Sequence, residues 1–388
     1  GSEMCIRDRE NGCMILKNTV YYNEAFLPQK GDIAVENEIL AQVGGTQAGS
    51  GIDLSGCTVV PGFIDIHTHG AMGGDTCDAR EESLAGMSRF LANHGVTSFC
   101  PTTMTLPFEQ LAESLRIARD YRGHECGAYI QGINMEGPYI SAAKKGAQCG
   151  DFIRKPDFEE FLKLHEICPV CLVDVAPEAE GSNAFAARAK VYCTVSAAHT
   201  NSDYETAEKA FEAGFSHATH LFNAMTQLGS RTPGVVGAVF DSDSVTAELI
   251  CDGFHIAPAT LRIAFQLLGE DRSVIVSDAM MASGLADGDF ELGGQKVYVR
   301  DGKALLADGT IAASTTNLYD EFRNVLRFGI PFRQALKSCT INPARVIHAD
   351  KETGSIVQGK RADLLVLDRD MEIRMVIARG EIVVNHDR

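Results

Sequence analysis

The chain has 388 residues, 45% of them hydrophobic and 22% charged, with 35 Lys+Arg against 52 Asp+Glu for a formal net charge of −17. That balance excludes a mainly disordered chain, and it argues against nucleic acid or an anionic membrane as partner because either would meet a repulsive field. The 12 cysteines lie scattered from Cys5 to Cys339. With no membrane-length apolar run and no basic-then-apolar leader, this pattern suggests a soluble protein of the reducing cytoplasm.

Residues 1–11 read as a remnant ahead of Met14 and are set aside. Residues 14–60 hold short strand-like runs (MILKNTVYY, DIAVENEIL, GCTVV) broken by Gly, Asn and Pro, without helical period. From Pro61 the pattern becomes strand then helix, repeated. FIDIHTH precedes a helix over 81–95, TSFCPTT one over 107–121, and AYIQGINMEG one over 157–167. CLVDVAP precedes 182–190, VYCTVSAAH precedes 202–214, HATHLFNAM follows, VTAELICDG precedes 258–269, and SVIVSDAM is the eighth strand. Eight such units over about 280 residues match the arithmetic of a (β/α)8 TIM-like barrel. Ser202 followed by Glu205 predicts a capping box, with Gly214 as the C-terminal left-handed residue. A Gly- and Asp-rich stretch near 283–312, with two strand-like runs (KVYVR, KALLA), predicts a hairpin inserted before the last barrel helix at 315–328. Strand character returns at ADLLVLD and IRMVIARGEIVVN. The expected organisation is a small discontinuous β-sandwich from 14–60 plus 350–388, flanking a barrel over 61–349.

His67 and His69 stand two apart at a strand end, and period-2 alternation puts both, with Asp65, on one face. In a barrel that face points inward at the C-terminal mouth, where barrel enzymes hold their chemistry. Glu136 closes the third strand, His199 the fifth, His220 the sixth and Asp278 the eighth. Ionisable groups at the mouths of five strands predict a divalent metal centre. His217 has the opposite parity to His220 and is expected to be structural, facing the helices. His94, His124, His165, His348 and His386 are assigned no role, and the Cys168–Cys171 spacing, without a second pair, reads as structural.

The constellation resembles the amidohydrolase superfamily, and within it the N-acetylglucosamine-6-phosphate deacetylases. The resemblance rests on PGFIDIHTHG, MEGPYIS, KKGAQ, FIRKPD, AAHTN, ATHLFNAM, TPGVVGA, DGFHIAP, VSDAM and NPAR…GKRADLLVLD. MEGPYIS, HLFNAM and DGFHIAP are the discriminating segments. It implies that Glu136, His199 and His220 hold a primary metal and that His67 and His69 hold a second beside it. One or two divalent ions per subunit are expected, zinc before iron or another transition metal. Asp278 would be the general base, then acid, for water attacking the acetyl carbon. Ala147, Gln148, Asn223, Ala224, Arg231, Asp252, His255, Ile311, Ala312 and Ala313 would contact a small sugar phosphate. Arg231 would reach the neighbouring subunit's site in a homodimer, and its guanidinium fork suits phosphate oxygens. Gln148 stands where some members carry His. Two other readings remain open on the residues alone: another metal-dependent amidohydrolase such as a deaminase, cyclic amidase or dipeptidase, and a non-catalytic sugar-phosphate binder.

Overall fold

The computed structural model describes residues 13–386; the remnant expected at 1–11 lies outside them. The chain is built on a parallel sheet whose principal strands are Phe63–Thr68, Val96–Thr103, Ile133–Tyr139, Val170–Val175, Thr194–Ala197, Phe215–Ala218, Thr246–Ile250 and Ser273–Val276. Each pairs in parallel with the next, and crossover helices lie on the sheet's outer face. Strands covered on both sides must be apolar nearly throughout. All six residues of Phe63–Thr68 and all eight of Val96–Thr103 are buried.

The two faces have separate cores. Phe99, Met135, Val173, Val195 and Leu249 pack with helix residues such as Leu91, Leu115 and Phe161. On the other face, Ile64 and Ile66 of the first strand touch Leu172 of the fourth and Ile250, Val274 and Val276 of the seventh and eighth. Contact among strands this far apart in the order requires the sheet to curl. Ala344 and Val346, from helix Ile341–Val346, cap that inner cluster. The chain just past the last strand bonds to the end of the first, where Asp278 N donates to His67 O at 2.9 Å and His69 N to Ala279 O at 2.8 Å.

Both ends of the described chain join one mixed eight-stranded sheet. Thr58–Pro61 pairs antiparallel with Leu364–Leu367, stitching the N-terminal strands to Ile373–Ala378 and Glu381–Asn385. Leu16, Ile33, Val59, Val366 and Ile377 form its own cluster. The last hairpin turns through Arg379 and Gly380 at φ 48° and 72°, a two-residue turn needing two left-handed residues.

Three local expectations need correction. The insertion is a four-stranded antiparallel meander, Gly288–Leu292, Gln295–Arg300, Lys303–Leu305 and Ile311–Ala313, and not a two-stranded hairpin. Its outer strands are short: Gly288–Leu292 alternates polar and apolar over only five residues, and Ile311–Ala313 has three. The helix Tyr204–Ala213 is capped by Asp203, whose carboxylate accepts from Thr206 N at 2.9 Å, while the Ser202 hydroxyl donates to Glu178. Gly214 does end that helix, at φ 133°, outside the left-handed helical well. The helix from Pro258 breaks at Gly269, φ 67° and ψ −165°, where it was expected to end, and what needs correction is only that a further turn runs on to Arg272.

Helix Leu318–Arg327 fastens the eighth strand's region to the core through Phe322, which is fully buried edge-on to Phe63 at 5.1 Å and to Phe332 at 5.7 Å between ring centroids. Phe322→Ala should therefore cost about 3–5 kcal/mol of unfolding free energy by urea titration, with bound metal per folded chain unchanged.

Candidate metal centre and active site

Strand ends deliver the site. Glu136 lies within Ile133–Tyr139, His199 and His220 stand two residues past Ala197 and Ala218, and Asp278 stands two past Val276. His199, His220 and Asp278 have φ of 41°, 32° and 46°. Each such non-glycine residue costs about 1–3 kcal/mol and survives only where its surroundings fix it. Here backbone bonds do so: Ser141 N donates to His199 O, Asn223 N to His220 O and Ser314 N to Asp278 O, all within 2.8–2.9 Å.

Side chains from opposite sides converge on one carboxylate. Glu136 Oε1 lies 3.0 Å from His199 Nε2 and 3.1 Å from His220 Nε2, and those two nitrogens are 3.1 Å apart. On its other flank, His69 Nε2 is 3.3 Å from Glu136 Oε2 and His67 Nε2 is 3.6 Å from Oε1, with the two Nε2 atoms 3.3 Å apart. Asp278 Oδ1 lies 3.5 and 3.3 Å from the same two rings. Two ligand groups result, His67–His69–Glu136 and Glu136–His199–His220, all buried and sharing Glu136.

The donor set fits a divalent transition ion. Four Nε2 atoms and one carboxylate gathered within 3.0–3.6 Å are the imidazole and carboxylate donors that such an ion takes. Outer partners orient the rings: His199 Nδ1 donates to the Lys144 carbonyl at 2.8 Å and His67 Nδ1 to Glu248 Oε2 at 2.9 Å, leaving each Nε2 lone pair inward. Burial raises the Glu136 carboxyl, but the His199 and His220 rings outweigh it and hold the group well below the usual carboxylate range. Asp278 is likewise lowered, with burial opposed by His67 and His69. Both are carboxylates at neutral pH.

This geometry opens into a cavity of about 340 Å3. The cavity wall includes His69, Glu136, His199, His220 and Asp278, and also Asn223, Ala224, His255, Ala147, Gln148, Ile311 and Ala312. His67 is fully buried behind them.

Comparison with known proteins agrees with this arrangement. Residues 58–383 match the amidohydrolase family. The N-acetylglucosamine-6-phosphate deacetylase of Bacillus subtilis (strain 168) is 36% identical over 332 residues, 84% of each chain. The chain belongs to the amidohydrolase family, among these deacetylases. An N-acetylgalactosamine-6-phosphate deacetylase of Escherichia coli O157:H7 is 32% identical over 327 residues, 83% of this chain and 86% of that one. A Mycobacterium smegmatis N-acetyl-D-glucosamine-6-phosphate deacetylase mutant, solved with N-acetyl-D-glucosamine-6-phosphate, superposes with a TM-score of 0.89 at 31% identity, over 96% of this chain and 100% of that one. An Xaa-Pro dipeptidase at 16% identity and TM-score 0.64 shares the fold.

Several expected residues of this amidohydrolase sit differently. Asp65 misses the metal groups: the first strand's pairing slips between Asp65 and Thr68, breaking the alternation, and its carboxylate accepts from Ser277 Oγ at 2.6 Å. Asp252 does not line the cavity. It accepts from Phe254 N and His255 N, both at 2.8 Å, and pairs with His255 Nδ1 at 2.7 Å, so it aims His255. Ala313 is buried off the wall, paired with Ala304. Arg231 lies outside the cavity, in a separate groove of about 740 Å3 with Thr226, Leu228 and Pro233. Gln148 lines the cavity but its amide is committed, accepting from Thr105 N at 2.6 Å and donating to Glu136 Oε2 at 2.5 Å. His217 does not face the helices alone; its Nε2 meets Glu248 Oε1 at 3.2 Å beneath His67.

Sequence reasoning missed Lys144, which lines both the cavity and the Arg231 groove, and Met104, Leu292 and Thr310 on the cavity wall. It also missed Glu248, whose signal was a lone acid inside the apolar run VTAELI. Because Asn at position 252 cannot accept from His255 Nδ1–H as a carboxylate does, Asp252→Asn should lower turnover roughly a hundredfold in an acetate-release assay while bound metal stays at the wild-type level.

Proposed function

We propose that this amidohydrolase removes the acetyl group of N-acetyl-D-glucosamine 6-phosphate, releasing D-glucosamine 6-phosphate and acetate. The observation that carries the reading is the convergence of two metal-ligand groups, Asp278 and His255 on one cavity of sugar size. Glu136, His199 and His220 would hold one ion and His67, His69 and Glu136 a second, with zinc as the proposed metal. Such an ion lowers the pKa of water to roughly 7 and polarises an amide carbonyl.

The chain's own groups do the rest. Asp278 Oδ1, ionised and pointed at the ligand rings, accepts the proton of the attacking water and returns it to the amine as the C–N bond breaks. His255, its Nδ1 held by Asp252, turns Nε2 to the acetamido oxygen or a sugar hydroxyl. Asn223, Ala224, Ala147, Ile311 and Ala312 shape the sugar's walls, and Gln148 holds Glu136 while bordering the substrate. Within one chain Arg231 is outside this cavity, so its proposed role requires a homodimer in which it reaches the neighbouring subunit's phosphate. We further infer that the strands close into a (β/α)8 barrel over 61–349 flanked by a sandwich of 14–60 plus 350–388. The same reading places the enzyme in the cytoplasm. In support, all described cysteines are free thiols, and among the described residues no helix is long and apolar enough to cross a membrane.

Chelated protein should release no acetate from N-acetylglucosamine 6-phosphate and regain turnover on zinc reloading, with far weaker turnover of unphosphorylated N-acetylglucosamine. N-acetylgalactosamine 6-phosphate run beside it reports which epimer is preferred. Asp278→Asn should retain metal and lose about 10²–10⁴ in turnover; near-normal turnover would sink its assignment. Co-assembly of Arg231→Ala chains with Asp278→Asn chains decides the subunit-sharing role. Each mixed dimer should carry one intact site and one doubly defective site, so activity should rise above that of either parent; no rise places Arg231 outside the shared site.

A further inference from the structure

Glu248, in the seventh strand Thr246–Ile250, has no part in the chemistry above, yet it is fully buried. Its Oε2 accepts from His67 Nδ1 at 2.9 Å and from His220 N at 3.0 Å, and its Oε1 meets His217 Nε2 at 3.2 Å. His217 Nδ1 in turn closes on Thr246 Oγ1 at 2.6 Å. Among the described residues its ionic partners are these two imidazoles, with no lysine or arginine. An acid inside an apolar strand is costly to bury without such partners.

The contacts have a direction. An ionised carboxylate only accepts, so His67 must carry its proton on Nδ1 and turn the Nε2 lone pair toward His69, Glu136 and Asp278. His199, in the other ligand group, is oriented by a neutral carbonyl, and His220 meets Glu248 only through its backbone. Glu248 therefore acts on the side chain of one group and barely on those of the other. We propose that Glu248 is the positioning residue of the His67–His69–Glu136 ion site, fixing His67 as an Nε2 ligand and through it retaining the second ion. This rests on the reading that these three residues hold a divalent ion.

The test is equilibrium dialysis of the full chain against chelator-buffered zinc, with metal per chain read by mass spectrometry. The wild type should take two ions. Glu248→Gln should hold one as before and bind the other about 10–100-fold more weakly. His67→Asn should lose that same ion, and adding Glu248→Gln to it should change nothing further, because the carboxylate acts through His67. Glu248→Asp, which keeps the charge but withdraws from His67, should weaken the same ion to an intermediate degree and guards against a Gln variant that does not fold. Wild-type affinity for both ions in Glu248→Gln and Glu248→Asp would overturn the proposal. So would equal weakening of both ions, or a further loss on the His67→Asn background. Acetate release plays no part in this readout. A wild type binding two zinc ions without deacetylating the sugar phosphate sinks the substrate reading alone, and a deacetylase whose Glu248 variants keep both ions sinks this proposal alone.

Discussion

One carboxylate ties the site together. Glu136 is within 3.0–3.6 Å of four imidazole nitrogens contributed by three different strand ends, in a pocket that leaves it 3% exposed. At an effective dielectric near 20, a unit charge about 4 Å from a carboxylate is worth about 4 kcal/mol. The sign and placement of charge here therefore outweigh most single packing contacts. The histidines are neutral ligands by preference, and the carboxylates Asp278 and Glu248 crowd in beside them. A divalent cation resolves both problems at once: it takes the inward lone pairs, and it neutralises acids that no lysine or arginine reaches.

The scaffold is organised to hold that convergence. Left-handed backbone at His199, His220 and Asp278 turns each side chain sharply off its strand. Such conformations persist because neighbouring chain segments bond the same backbone groups, linking His67 to Asp278 and Asp278 to Ser314. Beneath the polar layer, Ile64, Ile66, Leu172 and Ile250 fill the inner face of the sheet, so the ligands rest on a close-packed floor. Gln148 and Glu248 complete the arrangement from opposite sides, the first on Glu136, the second on His67 and His220.

Much of this was legible in the residue order, and the failures have local causes. The alternation of apolar strands with amphipathic helices pointed to ionisable groups at the ends of the third, fifth, sixth and eighth strands, and Glu136, His199, His220 and Asp278 do line one cavity. Asp65 was misplaced because side-chain parity assumes an unbroken ladder, and a register slip lies between it and Thr68. Ser202 and Asp203 are both competent caps; the choice fell to Asp203 because Glu178 claims the Ser202 hydroxyl through a long-range contact. The outer strands of the meander are too short, at five and three residues, for their pattern to stand out. Asp252 was expected from the resemblance and His217 from strand parity, whereas their surroundings follow from the partner each meets, His255 Nδ1 and Glu248.

The charge balance raises a final constraint. A chain at −17 whose cavity wall holds Glu136 and Asp278, with Glu248 buried behind them against His67, presents a phosphorylated sugar with repulsion wherever the ions are missing. Lys144 borders the cavity, but a single lysine cannot reverse three buried carboxylates. The cation that activates water therefore also makes the pocket hospitable to an anion, so ion occupancy and sugar-phosphate affinity share one free energy. By linkage, each must strengthen the other to the same degree. A residue behind the ion ligands, such as Glu248 on His67, then shapes substrate affinity without touching the substrate's phosphate.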